Sequence, residues 1–275
     1  MPRSTLELLH PDTVHTERLS DGVWYRYLWS SSGPWAIHLV EANVRRCDVG
    51  LAVLRPEARD DGQPGLETVT DMVAHRSGSG AVLAAVNADF FTPEGATLGA
   101  EVVDGTVTAA RERPALAWRP GSAPWIGRTE ISGDTLRLGW NLPLDGSDGV
   151  TEAVSGFPEL LHGGRPTDDV GEDERGSFRA TRHPRTAVGY DPRAGRLWLV
   201  VVDGRQSTYS VGMSLPELAA LLRSLGATEA LNLDGGSSSV MVVRRRVESH
   251  PSDPEGERPV VNALAVVRTP ARCTR

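Results

Sequence analysis

The sequence predicts an α+β fold, a β-rich mixed sheet core carrying two main helices and a βαβ unit near residues 197–234. Three observations carry that expectation. Short apolar runs bounded by Gly, Pro and Asp recur along the chain. Two segments repeat their apolar residues at helical spacing. One of those helices stands between two apolar runs, which is the strand, helix, strand order of a parallel pair.

Taken in order, Trp24, Tyr25, Tyr27 and Trp29 form an aromatic-rich segment that reads as a strand covering the core. A strand over residues 35–44 follows the Gly33-Pro34 turn signal. A helix over residues 68–76 places Val69, Met72 and Val73 on one face. Residues 81–86 form the next strand, and residues 197–202 form another between Gly195 and Asp203-Gly204. The helix over residues 215–225 has the clearest signature. Ser214 and Glu217 spell a capping box, Pro216 sits in the first turn, and Gly226 stops it. Leu215, Leu218, Leu222 and Leu225 make its buried stripe. Residues 230–233, 240–243 and 260–267 complete the strands. The hydrophilic stretches 163–182 and 248–258 read as loops.

A length of 275 residues suits a single domain over 1–275, with residues 1–66 as N-terminal strands packed on the rest. The net charge of −7 gives no electrostatic footprint for a phosphate polymer, so nucleic acid is excluded as a partner. No stretch approaches the ~20 apolar residues of a membrane span. Residues 1–10 lack a basic segment followed by an apolar one, so the chain either stays in the cytoplasm or has lost a leader. Cys47 and Cys273 have no metal-type spacing. They pair in an oxidising compartment or stand as two thiols. Oligomeric state is not legible.

Polar residues gather where apolar strands end. Residues 197–202 lead into Asp203-Gly204-Arg205, residues 230–233 into Asp234-Gly235-Gly236-Ser237-Ser238, and residues 81–86 into Asn87-Ala88-Asp89-Phe90-Phe91. Parallel strands end on one edge, so Asp203 and Asp234 are expected side by side at that rim, joined by Asn87 and Asp89. Gly235 and Gly236 let the backbone approach a ligand, and successive N–H groups with Ser237 and Ser238 can form an anion nest. In His183-Pro184-Arg185-Thr186, Arg185 can fork onto two phosphate oxygens, with Arg205 as an auxiliary. Asn262 interrupts an apolar strand and needs partners, from the backbone or a ligand. His183 and Thr186 complete the candidate binding residues.

These segments, together with 156–161 and 258–262, resemble in order the phosphodiester glycosidase family over residues 67–267. The resemblance implies an α+β fold and hydrolysis of a sugar-1-phosphodiester at the glycosidic C–O bond. It implies roles for Asn87, Arg185, Asp203, Asp234 and the Gly-Ser loop. In the best-known members the sugar is N-acetylglucosamine. The resemblance also favours an extracytoplasmic location. Many members have Gly-Gly where this chain has Ala88-Asp89, and residues 121–154 match poorly. The expected catalytic set is Asp234, Asp203 and Arg185, and the partner is a small-molecule or glycan sugar-phosphodiester. No cofactor is expected as a requirement, and a divalent cation is the open alternative. Two alternatives remain: a phosphodiesterase breaking P–O with a divalent cation on Asp89, Asp203 and Asp234, and a non-catalytic carbohydrate-binding module.

Overall fold

The computed structural model describes residues 1–57, 65–76, 81–109, 111–119, 122–132, 135–138, 142–143, 150–167 and 177–269. Cys273 and residues 168–176 of the loop expected at 163–182 lie outside the described residues.

Two sheets pack face to face. The eight-stranded sheet runs Thr13–Ser20, Val23–Ser30, Trp35–Asn43, Arg196–Val202, Arg185–Asp191, Glu229–Asn232, Glu159–His162, Arg165–Pro166. The five-stranded sheet runs Arg246–Val247, Met241–Val243, Ala81–Asn87, Ala263–Arg268, Val49–Leu54. A second five-stranded sheet is built from segments between Glu101 and Ser155, and a three-stranded one spans Thr129–Ser132, Thr135–Leu138 and Leu142–Pro143.

The strand sequences explain the layering. In Arg196–Val202, Leu197, Leu199 and Val201 enter the core between the sheets, while Trp198, Val200 and Val202 face a helix layer. A strand covered on both faces reads as a continuous apolar run rather than an alternation. Ala263–Arg268 behaves likewise: Leu264 and Val266 point to the central core, Ala263, Ala265 and Val267 to the other helix layer. The layers therefore run helix, sheet, sheet, helix.

Helix α1 (Arg3–Leu9) and helix α4 (Leu215–Leu225) cover the larger sheet, and helix α2 (Val69–His75) covers the smaller. A four-residue helix, α3, spans Ser177–Ala180. The α4 capping box is present in full, and Gly226 closes the helix with φ 104°. Helix α1 has no legible start signal, because Pro2 offers no side-chain cap. It is held instead by docking on α4, where Ser4 Oγ donates to the Ser224 carbonyl at 2.7 Å.

The βαβ expectation is modified in one respect. Arg196–Val202 and Glu229–Asn232 run parallel in one sheet, but Arg185–Asp191 lies between them, antiparallel to both. They end on the same rim without being neighbours. Asn87 belongs to the other sheet. The strand expected at 260–267 begins only at Ala263, with Val260 making an isolated bridge to Glu67.

Candidate active site

The rim is the end of the sandwich where Ala81–Asn87, Arg196–Val202 and Glu229–Asn232 finish and Arg185–Asp191 and Ala263–Arg268 begin. Asn87 bolts the two sheets together there. Its Oδ1 accepts from Thr186 Oγ1 at 2.8 Å and from the Val240 N–H at 3.2 Å. Its Nδ2 donates to the Asp234 carbonyl at 2.6 Å. The Asp234 N–H in turn donates to the Ala88 carbonyl at 2.9 Å. Asn87 and Thr186 are both 0% exposed, so this pair is occupied from inside the protein.

Asp234 is the carboxylate placed at the rim surface. Its Oδ1 accepts from the Gly235 N–H at 2.9 Å. Burial pushes its carboxyl up to about 6, against the pull of the Ser238 hydroxyl, the Gly235 N–H and the Arg258 charge. Gly236 has φ 65°, and a Cβ there would meet Arg205 Nη2 at 3.0 Å. The expected nest is largely spent on its own loop. The N–H groups of Gly236, Ser238 and Ser239 donate to the carbonyls of Pro184, Gly235 and Gly236. Cationic side chains supply the positive charge instead. Arg205 Nη1 donates to Ser237 Oγ at 3.0 Å. Arg258 Nη1 donates to Ser238 Oγ at 3.4 Å, and its guanidinium lies 5.2 Å over the Phe91 ring. Both arginines are exposed.

Asp203 and Arg185 reach the same rim but turn inward. Asp203 Oδ2 lies 3.1 Å from His38 Nε2, and its Oδ1 accepts from the His250 N–H at 2.9 Å. His38 Nδ1 lies 2.9 Å from the Tyr25 hydroxyl. The result is a buried Tyr25–His38–Asp203 chain. Arg185 is 2% exposed. Its Nε donates to the Met213 carbonyl at 2.9 Å, and its Nη2 donates to the carbonyls of Phe178 at 3.0 Å and Thr181 at 2.9 Å. Phe178 and Met213 belong to the α4 side of the sheet. No carboxylate pairs with this guanidinium among the described residues, and burial pushes it down to about 10. His183 is half-buried and makes backbone bonds with Met213. Burial, then Arg185 and Arg205, push its imidazole down.

A third group sits behind the rim. Asp89 Oδ1 accepts from the Ser155 N–H at 2.7 Å and from the Ser155 hydroxyl. The Asn262 amide nitrogen splits its two hydrogens between Asp89 Oδ2 at 2.6 Å and Glu101 Oε1 at 2.8 Å. The Asn262 oxygen accepts from the Asp89 N–H at 2.9 Å, and Arg55 Nη2 donates to Glu101 Oε2 at 2.7 Å. Burial, reinforced by Glu101, pushes the Asp89 carboxyl up to about 7. Arg113 lies 5.5 Å from the Phe90 ring and 5.7 Å from the Phe157 ring.

Sequence reasoning did not single out His38, Glu101, Arg113, Ser155 or Arg258 for the site. Glu101 and His38 sit inside strands whose partners come from remote segments, so no local pattern marks them. Arg258 had a signal, since it opens the Arg-Pro-Val-Val-Asn segment.

Asp89, Asp203 and Asp234 do not assemble as a ligand set, since each is held by different donors. Among the described residues, the group whose ligand atoms come within 4.8 Å of one another is Glu159, His162 and Glu229. His162 Nδ1 lies 3.1 Å from Glu159 Oε1 and 3.4 Å from Glu229 Oε2.

A two-sheet sandwich that presents a carboxyl of raised pKa at its rim suits a glycosidase-type hydrolase. Residues 80–267 match the family model described as phosphodiester glycosidase, and the chain belongs to that family of glycosidase-type hydrolases. It is 42% identical over 83 residues to the mouse N-acetylglucosamine-1-phosphodiester alpha-N-acetylglucosaminidase, covering 29% of this chain and 16% of that protein. The human enzyme of that name is 33% identical over 120 residues, covering 40% of this chain and 23% of that protein. The chain thus matches less than a quarter of the length of these curated relatives. Among solved structures, a hypothetical protein from Synechocystis superposes with a TM-score of 0.73 at 20% identity, over 93% of this chain and 64% of that one. The catalytic domain of the zebrafish enzyme, auto-inhibited by its pro-peptide, superposes with a TM-score of 0.65 at 22% identity, over 94% and 85%. These superpositions speak to the fold.

Proposed function

We propose that the chain hydrolyses a sugar-1-phosphodiester at the glycosidic C–O bond, releasing the sugar and a phosphomonoester. The observation that carries this reading is Asp234, a carboxyl raised to about 6 on a loop whose two neighbouring serines bind Arg205 and Arg258. A phosphate departs as a stable anion, so positive charge at the leaving group matters more than a strong acid. Arg205 and Arg258 hold the phosphate oxygens. Asp234 takes a proton from the attacking water, whose oxygen bonds to the sugar C1 as the C1–O bond breaks. The phosphate leaves with the bridging oxygen.

In this reading Arg185, Asp203, Asn87 and Asn262 position the rim rather than touch substrate. Arg185 anchors the segment that carries His183 and Pro184, and Pro184 holds the Gly236 N–H. N-acetylglucosamine is the proposed sugar, on the strength of the curated relatives. An extracytoplasmic setting is proposed with it, because Cys47 is disulfide-bonded and such bonds persist where the compartment is oxidising.

The test is product analysis on a panel of synthetic sugar-1-phosphodiesters. Asp234→Asn keeps the acceptor for the Gly235 N–H and is expected to fold. Its kcat should fall by on the order of 10²-fold or more. Turnover within about twofold of wild type would remove Asp234 from the role of base.

A further inference from the structure

His38 interrupts the apolar stretch from Ala36 to Val40 in the strand Trp35–Asn43, and it is 2% exposed. A buried imidazole needs a partner on each nitrogen, and both are present. Nδ1 lies 2.9 Å from the Tyr25 hydroxyl, and Nε2 lies 3.1 Å from Asp203 Oδ2. An ionised carboxylate only accepts, so Nε2 is the donor to Asp203. The rings of Tyr25 and Tyr27 pack against the imidazole, with centroids 6.2 and 5.1 Å away. Tyr25 and His38 both precede residues 80–267, the segment that matches the family model.

Asp203 connects this buried pair to two loops at the rim. Its own backbone is clamped to Ala36. The Asp203 N–H donates to the Ala36 carbonyl at 3.0 Å. Ser210 Oγ donates to the Asp203 carbonyl at 2.6 Å and accepts from the Ala36 N–H at 3.0 Å. The second carboxylate oxygen, Oδ1, accepts from the His250 N–H at 2.9 Å, and Gln206 Nε2 donates to the His250 carbonyl at 3.2 Å. The backbone of His250 is thus tethered at both its donor and its acceptor to the loop that starts at Asp203. Two residues on, Ser252 Oγ lies 3.5 Å from Arg205 Nη1, and the same loop runs on to Arg258. Arg205 has φ 61°, a left-handed conformation that a side-chain-bearing residue adopts at a cost. Bonds on either side hold it there, from Asp203 and from the Gln206 N–H to the Ser210 carbonyl at 3.0 Å.

We infer that His38 is a positioning residue for phosphate recognition: by fixing Asp203 it sets the register of the two loops that carry Arg205 and Arg258. This inference rests on the reading in which those arginines bind the substrate's phosphate. His38 itself touches no substrate. A guanidinium binds phosphate through directed N–H donors, so a shift of the loop that carries it lowers affinity without removing any charge.

The test is calorimetric titration of the full chain with inorganic phosphate, well below the melting temperature. Arg205→Gln should weaken phosphate binding by about tenfold or more. His38→Leu, which keeps both arginines, should weaken it by about fivefold or more. His38→Gln restores an N–H donor toward Asp203 and should bind within about twofold of wild type. A purely structural role would lower the melting temperature of His38→Leu and leave its phosphate affinity intact. One measurement needs no variant at this position. Coupling is reciprocal, so phosphate should shift the His38 imidazole nitrogen resonances of wild type saturably, with the calorimetric Kd. Wild-type affinity in His38→Leu, failure of His38→Gln to restore binding, or imidazole resonances that phosphate leaves unmoved would each overturn the inference while leaving the arginine reading in place. Undiminished phosphate binding in Arg205→Gln, or none in wild type below roughly 10 mM, would instead remove the arginine reading and this inference with it.

Discussion

Single residues at this rim divide into those that meet solvent and those that hold the loops. Asp234 meets solvent and titrates in a useful range. Its carboxyl is raised to about 6, and a base must be ionised, so kcat/KM should rise with pH and level off above about 6. The pH profile of Asp234→Asn should lose that limb. The sign for stability is opposite. The folded protein binds a proton at Asp234 more tightly than the unfolded chain does, so stability falls as pH rises from the ordinary carboxyl range through about 6. Asp234→Asn should therefore be slightly more stable than wild type above that pH. Asn262 is a holding residue. Asn262→Leu leaves Asp89 and Glu101 buried together without the amide between them. Unfolding free energy by denaturant titration should drop by about 3–5 kcal/mol. A loss under roughly 1 kcal/mol would mean that the network is not the anchor described. That Asn262 needs partners was legible from its place in an apolar run, although the strand itself begins only at Ala263. Which partners it has was not, because Asp89 and Glu101 come from remote segments.

Elements set the rim through close backbone approaches. Helix α4 was legible to its ends because its stop and start signals are local: a capping box and a left-handed glycine. Helix α1 was not, since its stability comes from docking. The parallel direction of Arg196–Val202 and Glu229–Asn232 follows from the helix between them. The insertion of Arg185–Asp191 between those strands does not, because strand order depends on pairings that no local signal encodes. The loop after Arg196–Val202 packs on the entry to Arg185–Asp191 at Gly212. There φ is 87°, and a Cβ would meet the His183 carbonyl oxygen at 2.3 Å. The clash cannot be relieved without moving His183, and a side chain is strained at that φ in any case. Gly212→Ala should cost about 2 kcal/mol or more in stability. It should also lower activity, since the Pro184 carbonyl accepts from the Gly236 N–H. A variant with wild-type melting temperature and turnover would show that this packing does not govern the site.

The whole molecule was the most legible scale. Apolar runs predicted strands, and the helix, sheet, sheet, helix order explains why those runs do not alternate, since it covers the strands on both faces. The chain is acidic overall, and the exposed Arg205 and Arg258 stand at the rim, so an anionic substrate is steered over short range only. kcat/KM on a phosphodiester should fall with ionic strength, and a double substitution, Arg205→Gln with Arg258→Gln, should flatten that dependence. A salt dependence as steep in the double variant as in wild type would place the anion-binding charge elsewhere. The central claim is the bond that breaks, and hydrolysis in heavy-oxygen water reads it directly by mass spectrometry of the two products. Attack at C1 puts the label in the sugar and leaves the phosphomonoester unlabelled, which is the predicted result. Label in the phosphomonoester would mean P–O cleavage and would contradict the account.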